Sequence, residues 1–199
     1  LIGVIAHYWN GSVMIQAPPL DVIPHLVSTF TENRTRPIVS FLGPDAQVLK
    51  VIDCLDLSKH PYAINRAEGL YALDLIHLRA IQDTASKTVL IKAGARHKSL
   101  LCNWFRGYEI EALGREDNAA LDDLVKERVE RFIAEDGYYV LEAGETPVSF
   151  IGANAKLPDM VQVGPVWTPP EERNKGYGRL IVYKAMHDAL TRGVKRAIL

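Results

Sequence analysis

The chain of 199 residues has little of what marks several large protein classes. No apolar run approaches the roughly 20 residues needed to cross a bilayer, and the first residues do not read as a secretory signal. The expectation is a protein without a membrane partner. Cysteine is scarce. Cys54 and Cys102 lie far apart and do not make a disulfide framework, so they read as small buried hydrophobes in a reducing cytoplasm. Neither charge sign is in excess. With 23 Lys and Arg against 24 Asp and Glu, the net charge of −1 gives no general pull towards nucleic acid or anionic lipid. The histidines, His7, His25, His60, His77, His97 and His187, form no HxH, HExxH or Cys/His spacing, so no metal is expected. No Gly-Lys-Ser/Thr closes a phosphate loop of the nucleotide-triphosphatase type, and no GxGxxG opens a dinucleotide-binding unit.

What is present fits a globular α/β protein. Hydrophobic residues make up 48% and charged residues 24%, and the length allows one large or two small domains. Both ends are unusual. There is no initiator Met, Leu1 leads straight into an apolar run, and residues 194–199 read as a strand that stops while still apolar. A fragment of a longer chain is the expectation.

The most informative segment is VGPVWTPPEERNKGYG, residues 163–178, with Arg173-Asn174-Lys175-Gly176-Tyr177-Gly178 at its core. An apolar strand enters it and a helix of about four turns follows. Successive free amides at a helix N-terminus point outward, and the helix dipole favours negative charge there. Gly176 and Gly178 lack a Cβ, so a diphosphate can approach the backbone. Arg173 and Lys175 add positive charge at the mouth.

At these residues the sequence resembles the GNAT family of acetyl-CoA-dependent N-acetyltransferases. That family's signature is Arg or Gln, two residues, Gly, one residue, then Gly or Ala; Arg173, Gly176 and Gly178 fill those places. The approach through Val166, Trp167, Thr168, Pro169, Pro170 and Glu171 also looks like the strand and turn of many members. The resemblance is good over 104–199. It implies an α/β fold with a mixed sheet, acetyl-CoA as acyl donor, and diphosphate binding at Arg173, Asn174, Lys175, Gly176, Tyr177 and Gly178. It further implies that the strand before the loop splays from its neighbour. Val166, Trp167 and Thr168 would then meet the pantetheine arm, the first and last of these through main-chain groups. Trp167 reads equally as cofactor wall and as core.

Turn and period signals order the rest. Residues 4–8 and 12–17 read as strands around Asn10-Gly11, a hairpin signal of the primed type. Pro18-Pro19 stops the second. A helix over 20–30, a short strand over 37–42, and a helix from an Asp45 cap to Leu55 follow. The stretch 69–80 is mixed and 87–92 is a strand. This order matches the second half of a GNAT fold, but Pro18-Pro19 stands where the phosphate loop should be. Residues 1–85 are therefore expected to be a degenerate GNAT-like domain, in a tandem arrangement, or a generic α/β domain. A linker falls within 83–103, and 100–199 is the acetyltransferase domain. There a strand over 104–113, a helix over 119–135 capped by Asn118 and ended by Asp136-Gly137, strands over 138–143, 147–153 and 160–167, a helix over 176–191 with Gly193 at its end, and a last strand are expected.

The chemistry implied is transfer of an acetyl group to the primary amine of a small molecule. Two alternatives stay open: a non-catalytic acyl-CoA sensor or scaffold, and a peptide or protein N-acetyltransferase. The first domain would shape the acceptor pocket or a homodimer interface. The base is not assigned among Glu109, Glu111, Glu142 and Asp159. The tyrosine acid common in the family lies on a helix beyond Leu199.

Overall fold

The computed structural model describes residues 1–82, 87–135 and 137–199, and the chain divides into two compact units, Leu1–Gly69 and Leu70–Leu199. The first holds strands β1 (Val4–His7) and β2 (Ser12–Gln16), helix α1 (Ile23–Asn33), strand β3 (Ser40–Leu42) and helix α2 (Asp45–Cys54). β1 and β2 pair antiparallel, and β3 joins β2 in parallel after the α1 crossover. The hairpin turn is wider than a two-residue primed turn. Tyr8 N donates to Ser12 O at 2.8 Å and Gly11 N to Tyr8 O at 3.0 Å, and only Gly11 takes a positive φ, of 85°. Asp45 is also not the cap of α2. Pro44 holds that position without a side-chain bond, and Asp45 is the first helical residue, where its charge still meets the dipole. Ile15, Ala17, Ile23, Val27 and Val51 form the core of this unit.

The second unit is a six-stranded sheet in the order β4-β9-β8-β7-β6-β5. Its strands are β4 (Ala72–Asp74), β5 (Thr88–Lys92), β6 (Tyr138–Ala143), β7 (Thr146–Lys156), β8 (Met160–Trp167) and β9 (Arg196–Ile198). Helices α3 (Lys98–Leu113) and α4 (Ala119–Ala134) pack on one face through Leu101, Phe105, Val125, Val129 and Phe132 against Tyr138, Val140, Phe150 and Trp167. Helix α5 (Tyr177–Thr191) packs on the other through Ile181, Ala185, Met186 and Ala189 against Leu141, Ile151 and Val161. β9 lies parallel to β8 after the α5 crossover, the placement expected of such a unit.

Two further expectations are corrected. Residues 104–113 are not a strand but the end of α3. Leu101, Phe105 and Glu109 are buried at four-residue spacing, and Gly114 closes the helix in the left-handed conformation at φ 66°. Trp104, Phe105, Tyr108 and Ile110 give the segment a β-rich composition, and tertiary burial of one helical face overrides it. The division of the chain is the second correction. The units part at Gly69, because β4 and β5 hydrogen-bond β9 and β6 and so belong to the second sheet. The strand that opens the second unit's core order is thus β5, followed by two helices, three strands, a helix and a strand. Residues 83–86, at the start of the expected linker, and the expected helix stop at Asp136 lie outside the described residues. Asn118 does cap α4, its Oδ1 accepting from Leu121 N at 3.1 Å, and Gly193 follows α5 with φ 93°. Among the described residues no helix is long and apolar enough to cross a membrane.

A fully buried carboxylate ties the two helices of the first face together. Glu109 on α3 accepts from Arg115 Nε at 2.5 Å and from Arg128 of α4 at 3.4 Å. Truncating a side chain that is fully buried between the helices leaves a cavity and removes their tie, while the two arginines turn to solvent, so Glu109→Ala should cost about 2 kcal/mol. Urea unfolding checks this, and Glu109→Ala with unchanged midpoint would refute the role.

Candidate functional site

β8 carries the chain to the site and α5 carries it away. β8 pairs with β7 up to the partners Trp167 and Phe150, but with β9 only over Met160, Val161 and Gln162. Beyond Gln162 its β9-side edge has no strand partner among the described residues. Val166 and Trp167 lie on that stretch. The β7–β8 register shifts twice near Ala153, so β8 bends where the edge is free.

The turn between β8 and α5 is held by side chains reaching its carbonyls. Ser149, fully buried on β7, donates through Oγ to Trp167 O at 2.8 Å, with its oxygen 3.0 Å from Thr168 Oγ1. Arg173 Nε donates to Thr168 O at 3.0 Å. Its two terminal nitrogens meet both oxygens of Glu111, at 2.9 and 3.0 Å. The same guanidinium lies 4.7 Å from the centre of the Trp167 ring. Asn174 then takes φ 62° and Gly176 φ 82°, both left-handed. An L-residue with a branched Cβ is strained there, whereas Asn and Gly tolerate it. These two reversals swing the backbone so that Gly176 becomes the N-cap of α5 and Tyr177 its first residue.

The consequence is a run of unused donors. Among the described residues no backbone carbonyl or side chain takes the amide hydrogens of residues 174–179, the first acceptor being Gly176 O for Leu180 N at 3.0 Å. A Cβ placed on Gly176 would meet nothing within 4 Å, so the space in front of it is open. A Cβ on Gly178 would lie 3.3 Å from Thr168 Oγ1. Free amides, a helix N-terminus and open space in front of them make a site for an anion.

The cations contribute less than the sequence implies. Arg173 is neutralised by Glu111, and Lys175 Nζ pairs with Glu172 at 2.9 Å, a bond that raises the lysine's pKa. Tyr177 packs against the α5-side core. Trp167 is buried in the α3-side core, and also edges a cleft of about 490 Å³ with Trp104, Ile110, Glu111 and Glu171. Gly107 of α3 makes this packing possible: a Cβ there would stand 2.9 Å from the indole. The four carboxylates considered as bases are dispersed. Glu109 is buried among arginines, Glu111 holds Arg173, and Glu142 pairs with Arg96 and lies near His97. Asp159 precedes β8, a strand length of roughly 25 Å from the loop. Ser149 and Glu111 were not legible as loop anchors, since each lies far from the motif in sequence. A cation in the motif without a local partner was the one available hint for Glu111.

The match to the acetyltransferase (GNAT) family model runs over residues 99–199. The chain belongs to the GNAT family of acetyltransferases. It is an acyl-CoA-dependent acetyltransferase by that membership, with acetyl-CoA as donor. Solved structures with similar folds include a possible acetyltransferase from Clostridium difficile, at 14% identity and TM-score 0.48 over 54% of this chain and 74% of that one. The PaiA N-acetyltransferase of Thermoplasma acidophilum in complex with coenzyme A is similar at 14% identity and TM-score 0.45, over 54% and 75% of the two chains. A GCN5-related N-acetyltransferase from Ralstonia eutropha matches at 20% identity and TM-score 0.45, over 56% and 81%. No curated protein sequence matches.

Because the indole is wedged against α3, Gly107→Val should overpack the GNAT core and cost about 2 kcal/mol. Denaturant unfolding reads the loss, and near-ultraviolet circular dichroism should show the disturbed Trp167. An unchanged midpoint and spectrum would mean that the contact is loose.

Proposed function

We propose that this GNAT domain seats the diphosphate of acetyl-CoA on the amides at the start of α5 and acetylates the primary amine of a small molecule. The row of donor groups from Asn174 to Gly178 supports this reading above every other feature. The diphosphate would bridge Asn174, Lys175, Gly176, Tyr177 and Gly178, with Arg173 holding the turn from behind. The pantetheine arm would run back along the unpaired edge of β8, past Thr168, Trp167 and Val166, where main-chain groups face no strand. The thioester carbonyl would then lie along the same edge, in reach of β8 amides that polarise it.

Two observations favour a small amine as acceptor. The cleft beside Trp167 has the volume of a small-molecule site, and its walls combine indole faces with the carboxylate of Glu171. Aromatic faces and carboxylates together suit an ammonium group. None of the sequence candidates for a base is a lone carboxylate at the loop, so the amine would lose its proton to solvent before attack. The rate should then rise with pH along the acceptor's own ionisation. Profiles measured with two amines of different pKa should shift by that difference, and one common inflection for both would reveal an enzymic base instead.

The first unit repeats part of the second. β1, β2, α1 and β3 share the hairpin, crossover and parallel return of β7, β8, α5 and β9. We read it as a degenerate GNAT-like half. At its equivalent turn Pro18 and Pro19 have no amide hydrogen, and Ala17 N already donates to Gln47 Oε1 at 2.7 Å. One CoA per chain is expected in calorimetry. Gly176→Val and Gly178→Val should each weaken that binding by tenfold or more, about 1.4 kcal/mol, through strain at the first and a blocked approach at the second. A stoichiometry of two, or unchanged affinity in both variants, would refute the assignment. Release of CoA thiol with amine panels separates transfer from mere binding.

A further inference from the structure

The loop motif ends at Gly178, but one of its anchors lies 62 residues before Arg173, on α3. Glu111 grips Arg173 with both carboxylate oxygens, in the fork-to-fork geometry that gives charge-assisted pairs their directionality. With Nε on Thr168 O and the plane over Trp167, the guanidinium has its fork and its Nε committed inside the protein. Gly107 and Glu111 are four residues apart and share one face of α3. The first receives the Trp167 indole and the second receives the Arg173 charge. This one helical face therefore docks the end of β8 and the turn after it.

We propose that Glu111 is a positioning residue for acyl-CoA: by fixing Arg173 it sets where the amides of residues 174–179 stand, and so how well they hold the diphosphate. The inference rests on the reading of those amides as the cofactor site. Arg173 bonds the carbonyl of Thr168, just ahead of the turn, and the left-handed reversal at Asn174 comes directly after Arg173. If Glu111 is lost, Arg173 keeps only one hydrogen bond and the ring contact, and the turn gains freedom that binding must remove. A role limited to charge makes the opposite prediction. Deleting Glu111 would release a cation beside an anion site and tighten binding.

The test compares the wild type, Glu111→Ala and Glu111→Gln, titrated with CoA by calorimetry. Glu111→Ala should bind about tenfold more weakly, and Glu111→Gln, which keeps one acceptor oxygen, about threefold. Phosphorus NMR of bound CoA supplies a local readout: the diphosphate resonances should move in Glu111→Ala, while the ribose phosphate resonance stays. The thermal midpoint should stay near that of the wild type, because the carboxylate is half exposed. Should Glu111→Ala fail to fold, the glutamine variant decides on the same readouts. Equal or tighter binding, or diphosphate resonances at their wild-type positions, would overturn the role of Glu111 while leaving the amide site standing. A wild type that binds no CoA would remove both.

Discussion

The Arg173 guanidinium is the point on which the site depends. It stands where an edge-free strand must become a helix within nine residues, and it reaches the strand end, the turn and α3 at once. A carbonyl, a carboxylate and an aromatic face use its nitrogens and its plane together, which lysine could not do with a point charge. The backbone after it runs through two left-handed residues, Asn174 and Gly176. The first carries a side chain, so its conformation is costly alone and persists where neighbouring contacts fix the chain on both sides, whereas the second adopts it freely. Arg173 fixes one side, and the packing of Leu180 and Ile181 into the α5-side core fixes the other.

This arrangement decides which forces are left for an anion. Both cations of the motif have carboxylate partners, so the long-range field at the loop is weak, in keeping with a net charge of −1. What remains is short in range and fixed in direction: unpaired amides and the end of a helix dipole. Amides held in place lose little entropy when they meet a ligand, and they discriminate by geometry rather than by charge alone. The same pairing explains why Arg173 belongs to the scaffold of the site more than to its surface.

Much of this was legible in the sequence. The glycine spacing, the apolar approach of β8 and the stripe of α5 located the turn to within a residue, because those signals are local and act through backbone conformation. The parallel return of β9 beside β8 followed from the handedness of crossovers. What was not legible depends on distant partners. The segment from Trp104 to Leu113 has a strand-like composition, and only burial of Leu101, Phe105 and Glu109 against α4 and the sheet makes it helical. Likewise the stretch that holds β4 reads as part of the first unit and β5 as part of the linker, since nothing local says that Ala72–Asp74 will pair with β9 or Thr88–Lys92 with β6. Ser149 and Glu111 are ordinary residues by sequence, and their contacts to the turn appear only when Trp167 and Arg173 come to rest beside them.

The two units show how little separates a turn with open donors from one without. Each runs an antiparallel hairpin into a helix and returns a parallel strand, so backbone topology offers the same helix start in both. In the first, prolines remove donors, Gln47 takes the amide of Ala17, and Asp21 places a carboxylate in the first turn of the 3-10 segment ahead of α1. A carboxylate there already uses the positive end of the backbone dipoles and repels a second anion. In the second, glycine and asparagine reverse the chain, no acidic side chain sits in the first turn of α5, and the cation that could compete for a phosphate is turned inward. The fold thus supplies a place for an anion in either unit, and a handful of side chains around the turn determine whether its donors stay open.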